Sequence, residues 1–251
     1  MSLNSKNNIY LRNSIYYGDF GDNNIGCEQS GIRPFVILQN DIGNHYSPTL
    51  IVAPITQVKY CSIKKNQKTQ VFINNNDYPL LKGDSTILTE QIRTISKERV
   101  VGETVGKLNT DDVRELNTAL KLSLGLVPIK FESKNMKRGD IFLVDLGIGV
   151  GSEFKGFTPV VVIQNDLGNY YSSTMIVAPI NLNSEKLKLP TQVLLPTDIE
   201  TNIFRSVIIQ TEQLRTIDKK RLISKIGKVP KLILEKINQA VSVSIDIQKA
   251  S

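Results

Sequence analysis

Residues 39–56 read QNDIGNHYSPTLIVAPIT, and residues 164–181 read QNDLGNYYSSTMIVAPIN, with 13 of 18 positions identical at an offset of 125. The match extends further in both directions. IYYGDFG at 15–21 returns as IFLVDLG at 141–147, and EQIRTI at 90–95 returns as EQLRTI at 212–217. The order of segments is kept, so two whole domains are written twice. A unit this long is no solenoid repeat, whose periods run about 20–50 residues. The first domain spans 1–126, VPIKFESKNMK at 127–137 is a mostly polar linker, and the second domain spans 138–251. Two such halves on a short linker would meet at high effective concentration, on the order of mM, so even a modest interface stays closed. A monomeric internal pseudo-dimer is the expected assembly.

Within each half, short Val- and Ile-rich runs come first: PFVILQ, TLIVAPI and TQVFI, then PVVVIQ, TMIVAPI and TQVLL. Turn residues separate them, as in NDIGN, NDLGN and LKGD, and the pattern predicts strands buried on both faces. Each half then turns helical. Thr110 is the expected N-cap of a helix with Asp111 and Asp112 in its first turn and an apolar face of Val113, Leu116, Leu120 and Leu124, ended by Gly125. Pro230 opens the corresponding helix, with Ile233, Ile237, Val241 and Ile245 on its face. Each half therefore reads as a small, mostly antiparallel barrel or curled sheet with a C-terminal helix.

The chain carries a net charge of +7 with a pI near 9.3, which favours an acidic partner such as nucleic acid. Residues 1–125 hold 14 basic and 12 acidic residues, and residues 126–251 hold 17 and 12, so the excess leans to the second half. No run approaches the ~20 apolar residues of a membrane span, and MSLNSKNNIY lacks a signal-peptide core. Two cysteines, Cys27 and Cys61, make neither a disulfide framework nor a zinc site, so a cytoplasmic chain without metal or cofactor is expected. Cys27 has no histidine nearby in sequence to activate it and reads as a small loop residue. The single histidine, His45, excludes a paired-histidine mechanism and is expected to be solvated in a turn, where a base could stack on it.

RGD at 138–140, GSE at 151–153, the Gly31–x–Arg33–Pro34 frame, QND, the IVAPIT run and EQIRT together resemble the MazF/PemK toxin family, over nearly the whole of each half. The resemblance implies two SH3-like toxin barrels of α+β, mainly β, class. It also implies metal-independent, sequence-selective cleavage of single-stranded RNA or mRNA to 2′,3′-cyclic phosphate and 5′-hydroxyl ends, under restraint by a cognate antitoxin. The family's catalytic arginine and threonine correspond to Arg33 and Thr56. The second half has Thr158 and Asn181 at these two places, so one live site in the first half and a degenerate partner are expected.

That assignment agrees with the chemistry of phosphate. RNA cleaves itself when its 2′-hydroxyl attacks the adjacent phosphorus, and the protein must hold that geometry and stabilise the growing phosphoryl charge. A permanently charged, forked guanidinium suits this task, and a threonine hydroxyl can donate to a second oxygen. The resemblance further implies RNA contacts at Arg12, Glu28, Gln29, Ser85, Glu90 and Gln91, although RGD has become RNS at 12–14. In the PemK branch a histidine stands in the place of Cys27 and an aspartate in the place of Glu90. Glu90 could act as a base or a base-edge acceptor, or pair with Arg93 instead. The second half could complete the RNA groove, complete a surface gripped by an antitoxin, or serve only as a folding partner. The rival reading is a non-catalytic protein of the same fold, either an antitoxin decoy or a gyrase-binding poison.

Overall fold

The apolar runs become strands because each residue in them meets one of two cores. The computed structural model describes residues 9–58, 68–131, 136–183, 187–197 and 203–247. The first half is built from β1 (Ser14–Asp19), β2 (Ile32–Ile37), α1 (Asp41–Tyr46), β3 (Thr49–Gln57), β4 (Gln70–Ile73), β5 (Ser85–Leu88), β6 (Arg93–Ser96), β7 (Val100–Lys107) and α2 (Thr110–Ser123). The second half repeats that order in β8 (Asp140–Asp145), β9 (Phe157–Val162), α3 (Asp166–Tyr171), β10 (Thr174–Asn181), β11 (Gln192–Leu195), β12 (Val207–Gln210), β13 (Arg215–Asp218), β14 (Leu222–Lys228) and α4 (Lys231–Ser244). Along β2 and the residue after it, Val36 and Leu38 enter a large core shared by both halves, while Phe35 and Ile37 enter a smaller core on the other face. Along β9 and the residue after it, Val161 and Ile163 join the shared core and Val160 and Val162 a second small one. A period-2 chain apolar at every position is satisfied only by burial on both faces.

The strand order runs β14-β8-β9-β10-β13-β6-β3-β2-β1-β7, with β5 and β4 branching from β3, and β12 and β11 from β10. Each half is thus a curled antiparallel sheet rather than a closed barrel, since β7 and β14 end the path. The two halves share one sheet. Arg93 on β6 faces Arg215 on β13, the Thr94 amide donates to the Leu214 carbonyl at 2.8 Å, and the Thr216 amide donates to the Ile92 carbonyl at 2.8 Å.

Two expectations about local structure need correction. Asn109, not Thr110, caps α2, its side chain accepting the Asp112 amide at 2.9 Å. The NDIGN and NDLGN segments, expected as turns, form α1 and α3, because Asn40 and Asn165 cap them by accepting the amides of Gly43 and Gly168 at 2.7 Å. His45 accordingly lies on α1, exposed, with its ring edge against Tyr46. The apolar face expected for α4 holds: Ile233, Ile237, Val241 and Ile245 are all buried. Part of the expected linker, residues 132–135, and Cys61 lie outside the described residues.

Candidate active site

Arg33 is the second residue of β2 and Thr56 lies near the end of β3, and these two strands are hydrogen-bonded neighbours. Their ladder runs Ile37↔Val52, Val36↔Ala53, Phe35↔Pro54. Two more steps of the same antiparallel register would set Arg33 opposite Thr56. Period 2 puts Arg33 on the face of Phe35 and Ile37, and Thr56 on the face of Leu50 and Val52, which is the same face. Beyond Pro54, β3 leaves β2 for β5, and Thr56 pairs with Thr86. The strand that carries Arg33 and the strand that carries Thr56 therefore part at the point where the two side chains stand.

Arg33 is half-buried, and burial lowers its pKa from the ordinary arginine value. Its guanidinium is held by the preceding loop. Nε donates to the Ser30 carbonyl at 2.8 Å, Nη2 donates to that same carbonyl, and Nη1 donates to Gln29 Oε1. Gln29 thus acts on Arg33 directly. In the second half Thr158 is buried, 5% exposed, and its hydroxyl turns back to the carbonyls of Lys155 and Gly156 at 3.3 and 3.4 Å. Asn181 accepts the Asn183 amide at 2.9 Å. The ladder Val162↔Val177, Val161↔Ala178, Val160↔Pro179 repeats the register of the first half, so the scaffold is kept where Arg33 and Thr56 are not.

Three residues expected at the RNA groove are buried in structural roles. Arg12 donates from Nε to the carbonyls of Leu38 at 3.2 Å and Ile245 at 2.9 Å, and from Nη2 to Asn117 at 2.7 Å, so it pins β2 of one half to the helix end of the other. Its counterpart Arg138 reaches the Leu124 carbonyl at the helix end of the first half and Asn238 of its own half, both at 2.8 Å. The change from RGD to RNS leaves this corner intact, because Asn13 adopts φ 69° where Gly139 adopts φ 86°, and asparagine tolerates that region better than other side-chain-bearing residues. Glu28 is 9% exposed and bonded to Arg221 of the second half. Ser85 is 2% exposed and donates to the Gly83 carbonyl at 2.7 Å.

Glu90 accepts from Gln70 Nε2 at 2.7 Å, and its other oxygen is buried with no hydrogen-bond partner among the described residues. Burial raises its pKa above the usual carboxylate range. The ion pair with Arg93 expected as an alternative gives way to another arrangement. Arg93 donates to the Phe20 carbonyl at 3.0 Å and lies over the Phe20 ring. Gln91 reaches across the interface to the Thr174 hydroxyl at 3.3 Å, and Gln213 mirrors it on Thr49 at 3.4 Å. Cys27 is exposed on its loop. Among the described residues no group of three or more His, Cys, Asp or Glu could hold a metal ion, and no helix is long and apolar enough to cross a membrane.

Reading the sequence for chemistry missed the interface charges Arg99, Glu153, Asp218 and Arg221. A signal was present: the pairs Glu28/Glu153 and Arg99/Arg221 recur in both halves, while Arg33 and Thr56 do not.

Residues 11–124 and again 137–245 match the family model described as PemK-like, MazF-like toxin of type II toxin-antitoxin system. The chain is similar to Endoribonuclease EndoA of Bacillus subtilis (strain 168), 44% identical over 113 residues, which cover 44% of this chain and 94% of that protein. It is similar to Endoribonuclease MazF of Staphylococcus saprophyticus, 41% identical over 115 residues, 45% of this chain and 92% of that one. A solved mycobacterial endoribonuclease in complex with its cognate antitoxin aligns at 18% identity with a TM-score of 0.38, over 45% of this chain and 98% of its own. With the family pattern matched twice and most of its length accounted for, this chain belongs to the PemK-like, MazF-like toxin family of type II toxin–antitoxin systems.

Proposed function

We propose that the chain is the toxin of such a system: a metal-independent, sequence-selective endoribonuclease acting on single-stranded mRNA in the cytoplasm, with one active site in the N-terminal half. The reading divides the chain into a competent half at 1–126, a linker at 127–137 and a degenerate half at 138–251, working together as an intramolecular pseudo-dimer and held in check by a cognate antitoxin. What supports it is that Arg33 and Thr56 lie on neighbouring strands whose period puts both side chains on one sheet face, while the otherwise equivalent second half carries Thr158 and Asn181 instead.

The substrate 2′-oxygen attacks phosphorus, the 2′-O–P bond forms as the P–O5′ bond breaks, and the 2′-hydroxyl proton leaves as a proton reaches O5′. Arg33 opposes the negative charge that grows on the phosphoryl oxygens, and Thr56 donates a hydrogen bond to one of them. The Nη groups now engaged by Gln29 and Ser30 are the donors a phosphate would take. Arginine stays protonated near pH 7 and serves poorly as a base.

The test is incubation with a long unstructured RNA in EDTA, followed by mapping of the new ends. Discrete cuts with cyclic-phosphate ends are expected. Arg33→Ala lowers the rate by about 10²–10³, the scale of losing one charge-stabilising donor, and Thr158→Ala leaves it unchanged. Intact RNA in the wild-type reaction overturns the nuclease reading and leaves a non-catalytic role.

A further inference from the structure

The loop that holds Arg33 is itself held by the other half. Glu28 Oε1 accepts from Arg221 Nε at 2.5 Å and from the Asp218 amide at 2.8 Å, and Oε2 accepts from Arg221 Nη2 at 2.8 Å and from the Ile25 amide at 3.2 Å. Arg221 Nη2 also donates to the Asn23 carbonyl at 2.8 Å, and the Cys27 amide donates to Asp218 Oδ2 at 3.2 Å. Gly26, at φ +57°, lies so close that a Cβ there would come within 2.1 Å of Asp218 Oδ2. Gln29 and Ser30, which take all three guanidinium nitrogens of Arg33, follow Glu28 directly in the chain.

We infer that Arg221, with Asp218, is a positioning residue supplied by the degenerate half: it fixes loop 22–31 and through it the orientation of Arg33. The inference rests on the nuclease reading. Arg221 is 5% exposed, so it acts through the loop and not on RNA. The mirror-image clamp makes the role separable from stability. Arg99 donates to Glu153 at 2.6 and 3.0 Å, with the amides of Ser96 and Val150 completing the carboxylate at 2.8 and 3.1 Å. That clamp fixes the loop before Thr158, where there is no guanidinium to aim. The chain thus holds two ion pairs of the same design, one serving the candidate site and one serving none.

The experiment compares full-length Arg221→Lys, Glu28→Gln and Glu153→Gln with wild type. Thermal midpoints are measured together with kcat and KM on a short RNA containing one mapped cut, in EDTA. Arg221→Lys keeps the charge but loses the fork, and Glu28→Gln keeps the shape but loses the charge. All three are expected to lower the midpoint by several degrees. Arg221→Lys and Glu28→Gln lower kcat about tenfold to hundredfold, the scale of a misplacement near 1 Å, with KM within about twofold. Glu153→Gln keeps the wild-type kcat. Wild-type kcat in Arg221→Lys and Glu28→Gln overturns the positioning role alone, as do equal losses in all three variants. A wild-type chain that leaves the RNA uncut overturns the nuclease reading and this inference with it.

Discussion

Thr158 is shorter than Arg33 and carries no charge, and the difference between the two halves goes beyond that one exchange. Phe154 stands where Gln29 stands, and it packs on the small core of the second half, while Lys155 replaces Ser30. An arginine introduced at 158 would find no amide oxygen from position 154 to orient it. In an Arg33→Ala background, Thr158→Arg with Asn181→Thr is therefore expected to remain inactive in the RNA-cutting assay. Adding Phe154→Gln is expected to recover measurable cutting. Recovery by the first two substitutions alone would show that orientation by the loop residue is dispensable. Arg12 teaches the opposite lesson at the same scale. A basic residue near a motif invites a phosphate contact, yet its guanidinium is consumed by two carbonyls and an amide oxygen, because a buried donor must be paired.

At the scale of elements, the two halves cap one another's helices. Asn40 caps α1 through its side-chain oxygen while its Nδ2 donates to the Val243 carbonyl at 2.7 Å and its amide to the Ser244 carbonyl at 3.0 Å, at the end of α4. Asn165 does the same for α3 and, through the carbonyls of Leu122 and Ser123, for the end of α2. The last carbonyls of a helix lack intrahelical partners, so each asparagine satisfies two helix ends at once. Asn40→Ala and Asn165→Ala are each expected to cost at least the ~1 kcal/mol typical of a lost N-cap, measured by denaturant unfolding. Near-equal losses are the expected result; a silent Asn165→Ala would show that the second cap carries no weight. The strands β2, β3 and β4 and their counterparts β9, β10 and β11 were legible as Val- and Ile-rich runs, whereas the six-residue α1 and α3 were hidden in segments rich in turn formers. Their helicity depends on the cap and on contacts with the other half, which no local pattern records.

For the molecule as a whole, Glu28 and Glu153 join the halves and give the assembly a pH dependence of known sign. Burial alone would raise each carboxyl, but hydrogen bonds from arginine and backbone amides outweigh it, and both pKa values are lowered. A carboxyl depressed on folding contributes stability that is present above its unfolded value, near 4.3, and is lost as pH falls through its folded value. Glu90 and Glu212 are raised, chiefly by burial, so their contribution has the opposite sign and is lost as pH rises through their folded values. The combined Glu28→Gln, Glu153→Gln variant is therefore expected to be less stable than wild type at pH 7, with the gap closing between about pH 5 and pH 3. Thermal midpoints against pH measure this, and parallel curves would refute the linkage. The facing of Arg93 and the buried Arg215 adds a cationic centre to the same interface, with Arg215 pushed down to about 9 by burial and then by Arg93.

The amino-acid sequence determined the duplication, the strand-rich halves ending in a helix, the family, and the difference between Arg33 and Thr158, since each is a matter of residue identity and order. Tertiary structure alone decided which charged residues are free. Arg12, Glu28, Arg99, Glu153 and Arg221 look like surface chemistry in one dimension, but the joining of β6 to β13 brings partners from the other half within hydrogen-bond reach and takes them out of water. Partners some 190 residues apart, as Glu28 and Arg221 are, leave no spacing for a sequence reader to find, because only the packing of the two halves makes them neighbours.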